Sequence, residues 1–248
     1  MKLYEIFSKK NIKTCFIKKD YPNQKDEQKI LENKGKLFKS KIRIQSLKEA
    51  INQNYKIAIF DDGLQDHSIN YDLTFVCFNN LNWIGNGFTI PSGPLRESFK
   101  TIKNHKNVFI AGNSRNLEHI KKEIIKINPQ TNILTALYVP LNLHEFDKKE
   151  KYLAFSGIGN HESFVSMLKS NGLNIIKDLE FPDHYNYSDQ KIYDITSQAK
   201  KLNCKILTTE KDFLRLKGDN SNEIKFIKSE LKINNENDFL NILSDLYE

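Results

Sequence analysis

Five short apolar runs alternating with stretches of helical spacing constrain this chain more than any other feature. The runs are KIAIF (56–60), LTFVCF (73–78), NVFIAG (107–112), YLAFSG (152–157) and KILTT (205–209), all rich in β-branched or aromatic residues. Among and before them lie IQSLKEAINQN (44–54), LEHIKKEIIKI (117–127), ESFVSMLKSNG (162–172) and SDQKIYDITSQAKKLN (188–203), which carry apolar residues three and four apart. The rhythm predicts an α/β fold, a mostly parallel sheet flanked by helices. In such sheets ligands gather beyond the carboxyl ends of the strands, so chemistry is sought just after each apolar run.

A length of 248 residues with 39% hydrophobic positions suffices for one large domain or two modest ones. The stretch NPQTNILTALYVPLNLHEFDKKEKY (128–152) breaks the rhythm with two prolines and a charged tail. The expected division is therefore an α/β lobe over 1–130, an extended linker over 131–151 and a smaller α/β lobe over 152–248. No period of 20–50 residues recurs, which excludes a solenoid. No run approaches the roughly 20 apolar residues of a membrane span, and the opening lacks a secretory signal, so a cytoplasmic chain is expected.

The formal charge of +7 favours anionic partners without choosing among phosphate esters, acidic lipid and nucleic acid. No aromatic-basic recognition motif is visible, so nucleic acid is not expected as a partner. Cys15, Cys77 and Cys204 are far apart and form no C-x-x-C. The last two abut apolar runs, and buried reduced thiols are expected.

The first strand tip carries the strongest local signal. KIAIF ends in Asp61, Asp62 and Gly63. Paired aspartates there suit a hydrated magnesium ion shared with substrate phosphates. An Asp-Asp-Gly turn with one carboxylate capping a loop reads equally well from this segment. NWIGNGFTIPSGPLRES (82–98) is a Gly/Pro-dense loop in which Arg96 offers a planar fork for an anionic group, and a plain structured loop is the other reading. In YLAFSGIGNHESF, Gly157 and Gly159 permit a close backbone approach before a helix start, but the third glycine of a dinucleotide fingerprint is absent.

EFPDHYNYSD places Asp183 beside His184, where a carboxylate can orient an imidazole for proton handling. No spacing among the six histidines forms a metal motif. KILTTEKDFLRL ends in Thr208, Thr209, Glu210, Lys211 and Asp212, read as a staple between lobes with Thr209 as a helix cap.

Taken in order, IFDDGLQDHSINYDL, IGNGFTIPSGPLRES, AFSGIGNHESF, FPDHYNYSD and ILTTEKDFLRL resemble the motif series of the tetraacyldisaccharide 4′-kinase (lipid A 4′-kinase) family, from about Cys15 to Ile227. The resemblance implies a P-loop-kinase-like fold. It implies transfer of the ATP γ-phosphate to the 4′-hydroxyl of tetraacyldisaccharide 1-phosphate, with ATP and Mg2+ as cofactors. It assigns Asp61 and Asp62 to the metal and nucleotide, Asp26 and His184 to the proton, and Gln65, Asn86 and Arg96 to the substrate. The chain is then expected to act as a monomer, peripheral on the cytoplasmic face of the inner membrane, with the lipid A disaccharide precursor as partner.

Three departures accompany the resemblance. Lys25 and Gln28 stand where the family's acidic block has Gly and Pro around the position of Asp26. Asp66 follows Gln65 where the family commonly has His, with His67 one place later. No G-x-x-x-x-G-K-[ST] phosphate loop occurs in the 248 residues. The opening resembles the helix and strand that follow that loop, so the expected start lies upstream. The alternative is a catalytically inactive member that retains phospholipid or nucleotide binding.

Overall fold

The computed structural model describes residues 1–21, 25–112, 116–216 and 223–247, with the side chains of Lys25 and Asp26 outside that description. The chain divides into two compact units, Met1–Tyr71 and Asp72–Glu248.

The first unit runs α1 (Lys2–Lys9), β1 (Thr14–Lys19), α2 (Lys25–Lys34), β2 (Leu37–Ser40), α3 (Arg43–Asn52) and β3 (Ile57–Phe60). Its sheet has the order β2-β1-β3, with both pairings parallel. Cys15, Ile17, Phe38 and Ala50 form the buried core, against which Leu47, Ala58 and Phe60 pack. Helix α3 follows the predicted 44–54 closely. The central strand β1 is buried at five of its six positions, including the charged Lys18.

In the second unit β4 (Val76–Asn79), β5 (Asn107–Ala111), α4 (Leu117–Ile127) and β6 (Asn132–Pro140) lead into β7 (Lys151–Ser156), α5 (His161–Ser170) and β8 (Asn174–Glu180). Then come α6 (Asp189–Lys201), β9 (Lys205–Thr209), the one-turn α7 (Glu210–Phe213), β10 (Ile224–Ile227), β11 (Ser229–Ile233) and α8 (Glu236–Ser244). One sheet has the order β10-β9-β7-β8 and is wholly parallel. The other, β11-β6-β5-β4, is parallel except for the antiparallel β11–β6 pair. Within the stretch expected as a linker, Asn132–Pro140 is strand β6, paired on both edges.

Strand β7 shows why an unbroken apolar run belongs in a parallel sheet. Tyr152 and Ala154 enter one cluster with Phe164, Met167 and Leu168 of α5, while Leu153 and Phe155 enter another with Ile192 and Ile195 of α6. Both faces are covered, so the interior positions 152–155 show no alternation of polar with apolar residues.

The thiols depart from the sequence expectation at one position. Cys15 is buried and Cys204 partly so, but Cys77 is exposed. Strand β4 lies at the edge of its sheet, and Phe78 packs toward the core while Cys77 points the other way. Burial pushes the Cys15 thiol up to about 11. Iodoacetamide at neutral pH is therefore expected to alkylate Cys77 at least ~100-fold faster than Cys15. Peptide mapping of a time course measures this, and equal rates would contradict the burial.

Candidate active site

The tip of β3 is built by its neighbours. The Asp61 N–H donates to Ile17 O at 3.1 Å, which continues the β1–β3 pairing past Phe60 and sets Asp61 beside Lys18. The Lys18 ammonium donates to Asp61 and, at 3.0 Å, to Glu27 on α2. Burial by itself lowers the pKa of Lys18, but the hydrogen bonds to Asp61 and Glu27 outweigh it and hold the group above the ordinary lysine value. Lys18 thus stays a cation inside the sheet, only 2% exposed, fixing one carboxylate of the pair.

Arg43, at the start of α3, holds the peptide backbone of that tip. Its Nη2 donates to Asp62 O at 2.9 Å and Asp61 O at 3.3 Å, and Nη1 pairs with Asp66 at 3.7 Å. Asp62 turns the chain at φ +55, a left-handed conformation that Asp tolerates. Tyr71 Oη closes the turn with a hydrogen bond to Gly63 O at 2.9 Å. Asp61 is partly exposed, and Asp62 and Gln65 are exposed.

The Asp-Asp-Gly segment is a built turn that presents two carboxylates. Among the described residues no group of three or more His, Cys, Asp or Glu could cage a metal. Two carboxylates at a strand end, open to solvent, fit a magnesium ion that keeps most of its water. Asp26 lies on α2 next to Glu27, and its side chain is outside the described residues.

In the second unit, the loop after β8 carries His184 at φ +58. Its backbone N–H donates to Gly157 O at 3.1 Å and to Asp183 Oδ1 at 2.9 Å. Its ring lies between Asp183, with Nε2 to Oδ2 at 3.7 Å, and Arg215, with Nδ1 to Nη2 at 3.2 Å. Lys211 Nζ is 3.9 Å from the far oxygen of Asp183.

Below this ring Asp212, fully buried, accepts from the Gly157 N–H at 3.0 Å, Tyr187 Oη at 3.1 Å, Arg215 Nη1 at 3.1 Å and Thr209 Oγ1 at 2.7 Å. Thr209 caps α7 by accepting from the Asp212 N–H, as expected. The motif was expected to join two lobes; the contacts of Asp212 tie β7, β9 and the histidine loop within this one unit. Burial, then the adjacent Asp212 charge, raises the Tyr187 phenol far above its ordinary value, so it remains a donor.

Gly157 is where the close approach occurs. A Cβ there would sit 3.0 Å from both Pro182 O and Tyr185 Cβ, and 3.1 Å from Tyr187 Oη. Gly157→Ala is expected to push the histidine loop outward and cost about 1–3 kcal/mol. Urea unfolding followed by fluorescence of Trp83, the one tryptophan, measures it, and an unmoved midpoint would contradict the crowding.

In the Gly/Pro loop, the Asn86 amide donates to Ser92 O at 2.8 Å and accepts from the Phe88 N–H at 3.1 Å, so both of its ends frame the loop. Arg96 is exposed farther along. Lys18, Arg43, Asp212 and Arg215 were not singled out as site residues from the sequence. Lys18 sits in FIKKDY, where nothing distinguishes it from surface lysines, and each of the others acquires some of its partners from distant chain segments.

The geometry can be set beside known proteins. The family model described as tetraacyldisaccharide-1-P 4′-kinase (LpxK) matches residues 17–248. Tetraacyldisaccharide 4′-kinase of Pelagibacter ubique (strain HTCC1062) is 56% identical over 248 residues, which is 100% of this chain and 79% of the relative. The enzymes of the same name from Rickettsia akari and Rickettsia canadensis are 38% and 39% identical, over 87% and 73% of this chain. The chain spans 64% and 54% of those two relatives. A crystal structure of LpxK from Aquifex aeolicus in complex with ATP superposes with a TM-score of 0.65 at 18% identity, covering 99% of this chain and 83% of that one. That likeness gives the P-loop-kinase fold. With the family model matching nearly the whole chain and the ordered strand-tip motifs in place, this chain belongs to the tetraacyldisaccharide-1-P 4′-kinase family.

Proposed function

We propose that the chain serves the transfer of the ATP γ-phosphoryl group to the 4′-hydroxyl of tetraacyldisaccharide 1-phosphate, the step that forms lipid IVA. The observation that carries this reading is the carboxylate pair Asp61–Asp62, placed by Lys18 and Arg43 at the carboxyl end of β3 in a chain of this family. Asp61 and Asp62 would hold Mg2+. When bound, that ion neutralises charge building on the phosphoryl oxygens. Lys18 keeps Asp61 in place, and Arg43, by binding both carbonyls, keeps the turn from swinging away.

Asp26 and His184 are assigned the proton of the attacking hydroxyl, and Gln65, Asn86 and Arg96 the polar groups of the substrate. The net charge of +7 supports approach to an anionic membrane surface. No helix of the described residues is long and apolar enough to cross a membrane. The chain then works as a monomer, peripheral on the cytoplasmic face of the inner membrane.

A second reading is a catalytically silent binder of phosphorylated lipid or nucleotide. Incubation with γ-labelled ATP, magnesium and tetraacyldisaccharide 1-phosphate separates the two readings. Label on the 4′-position is the expected result. Retained binding of both ligands without transfer would favour the silent binder.

A further inference from the structure

We propose that Arg215 is a positioning residue that fixes His184 as the neutral tautomer carrying its proton on Nε2. The tautomer follows from the contacts of Arg215, and only its catalytic consequence rests on the reading of His184 given above. Arg215 Nη2 lies 3.2 Å from His184 Nδ1. A guanidinium has five N–H donors and no acceptor, so this contact is a hydrogen bond only when Nδ1 is bare. The single ring proton is then on Nε2.

The guanidinium is not free to follow the imidazole. Arg215 is 8% exposed, and its Nη1 donates to Gly157 O at 2.8 Å and to the buried Asp212 at 3.1 Å. Asp212 is in turn held by Gly157 N–H, Tyr187 and Thr209. His184 is tied to the same peptide from its other side, because its own N–H donates to Gly157 O. Both partners of the contact are therefore referenced to one rigid point at the end of β7, and the ring orientation is set by the fork rather than by solvent.

With Nδ1 capped, the ring presents Nε2–H as a donor toward an oxygen acceptor. Asp183 Oδ2, at 3.7 Å, already lies on that side. With Nδ1 occupied by the Arg215 N–H and Nε2 carrying the ring proton, His184 has no bare nitrogen for the proton of the sugar hydroxyl and acts as a donor that can orient the carboxylate assigned to take it.

The test uses the full chain with isotope-labelled histidine ring nitrogens, read by long-range proton–nitrogen correlation in mildly alkaline buffer. His184 is assigned by the signal lost in His184→Gln. The wild type is expected to show Nδ1 as the bare nitrogen and Nε2 as the protonated one, with the other tautomer nearly undetected. In Arg215→Met the tautomer ratio is expected to fall by about tenfold or more, the bias of one charge-assisted hydrogen bond. Arg215→Lys keeps the charge opposite Asp212 but lacks the fork, and it is expected to give the same fall if the methionine variant does not fold.

A protonated Nδ1 in the wild type, or an unchanged ratio in either folded variant, would overturn the proposal. The catalytic reading fails differently: unchanged phosphoryl transfer by His184→Gln removes the role of the histidine and leaves the tautomer result standing. Where transfer is measured, Arg215→Lys is expected to lower kcat with little change in KM. It should add no further loss in the His184→Gln background.

Discussion

Replacing Asp62 by asparagine is expected to lower kcat/KM for phosphoryl transfer by roughly 10²–10³, and replacing Asp61 and Asp62 together by at least ~10³. The estimate follows from the chemistry of the pair, since an amide oxygen lacks the charge that holds a divalent cation next to substrate phosphates. The fold should survive the single change. Asp62 is exposed and sits at φ +55, and asparagine adopts that left-handed conformation at least as readily as aspartate. Asp61→Asn has a second effect because the Lys18 ammonium loses one of its two carboxylates and keeps Glu27. Steady-state assays over a magnesium titration, beside urea unfolding of each variant, measure both. Asp62→Asn with full activity at limiting magnesium would remove the metal role of the pair.

The largest structural effect is expected at Asp212. This carboxylate is fully buried and accepts four hydrogen bonds, from a backbone amide, a phenol, a hydroxyl and the Arg215 guanidinium. Asp212→Ala strips the buried Arg215 of its counter-charge and leaves the other donors without an acceptor. The expected cost is about 3–5 kcal/mol. Urea unfolding followed by Trp83 fluorescence reads the second unit directly, because that indole packs against Phe78 and Phe99 there. A shift under ~1 kcal/mol would mean that the network is not closed around Asp212 as described. Because Arg215 also touches His184, the same substitution is expected to lower activity beyond its effect on the folded fraction.

The architecture was legible where burial is two-sided. YLAFSG and KILTT lie in a sheet covered on both faces, so apart from the exposed Lys205 the runs hold apolar, aromatic or small polar residues and stand out from their surroundings. Helices 117–127 and 188–203 were legible for the complementary reason, a single buried stripe at helical spacing. Strand β8, NIIKDLE, was not, because it lies at a sheet edge, exposed at five of its seven positions, and its charged residues hide any pattern. Strand β6 fell within the expected linker because the two prolines of 128–152, its extended apolar stretch and its charged tail suggest a connector. Only the pairing with β5 and β11 makes it a strand.

Of the candidate site residues, Asp61 and Asp62 stand out by type at the end of β3, and His184 by its place beside Asp183 in the loop after β8. Their supports do not: the Lys18–Asp61 contact spans 43 residues, Arg43–Asp62 spans 19, and Arg215–His184 spans 31.

The sequence by itself determined the α/β class, the order of motifs that identifies the family, and which side chains are candidates for phosphoryl transfer. Those properties are local, set by hydropathy period and by residue type at strand tips. Tertiary structure alone decided that Cys77 faces outward, that a buried lysine holds one aspartate, and that an arginine dictates which ring nitrogen of His184 bears the proton. Each of these depends on what a side chain meets across the fold, and a contact between distant segments leaves no periodic trace along the chain.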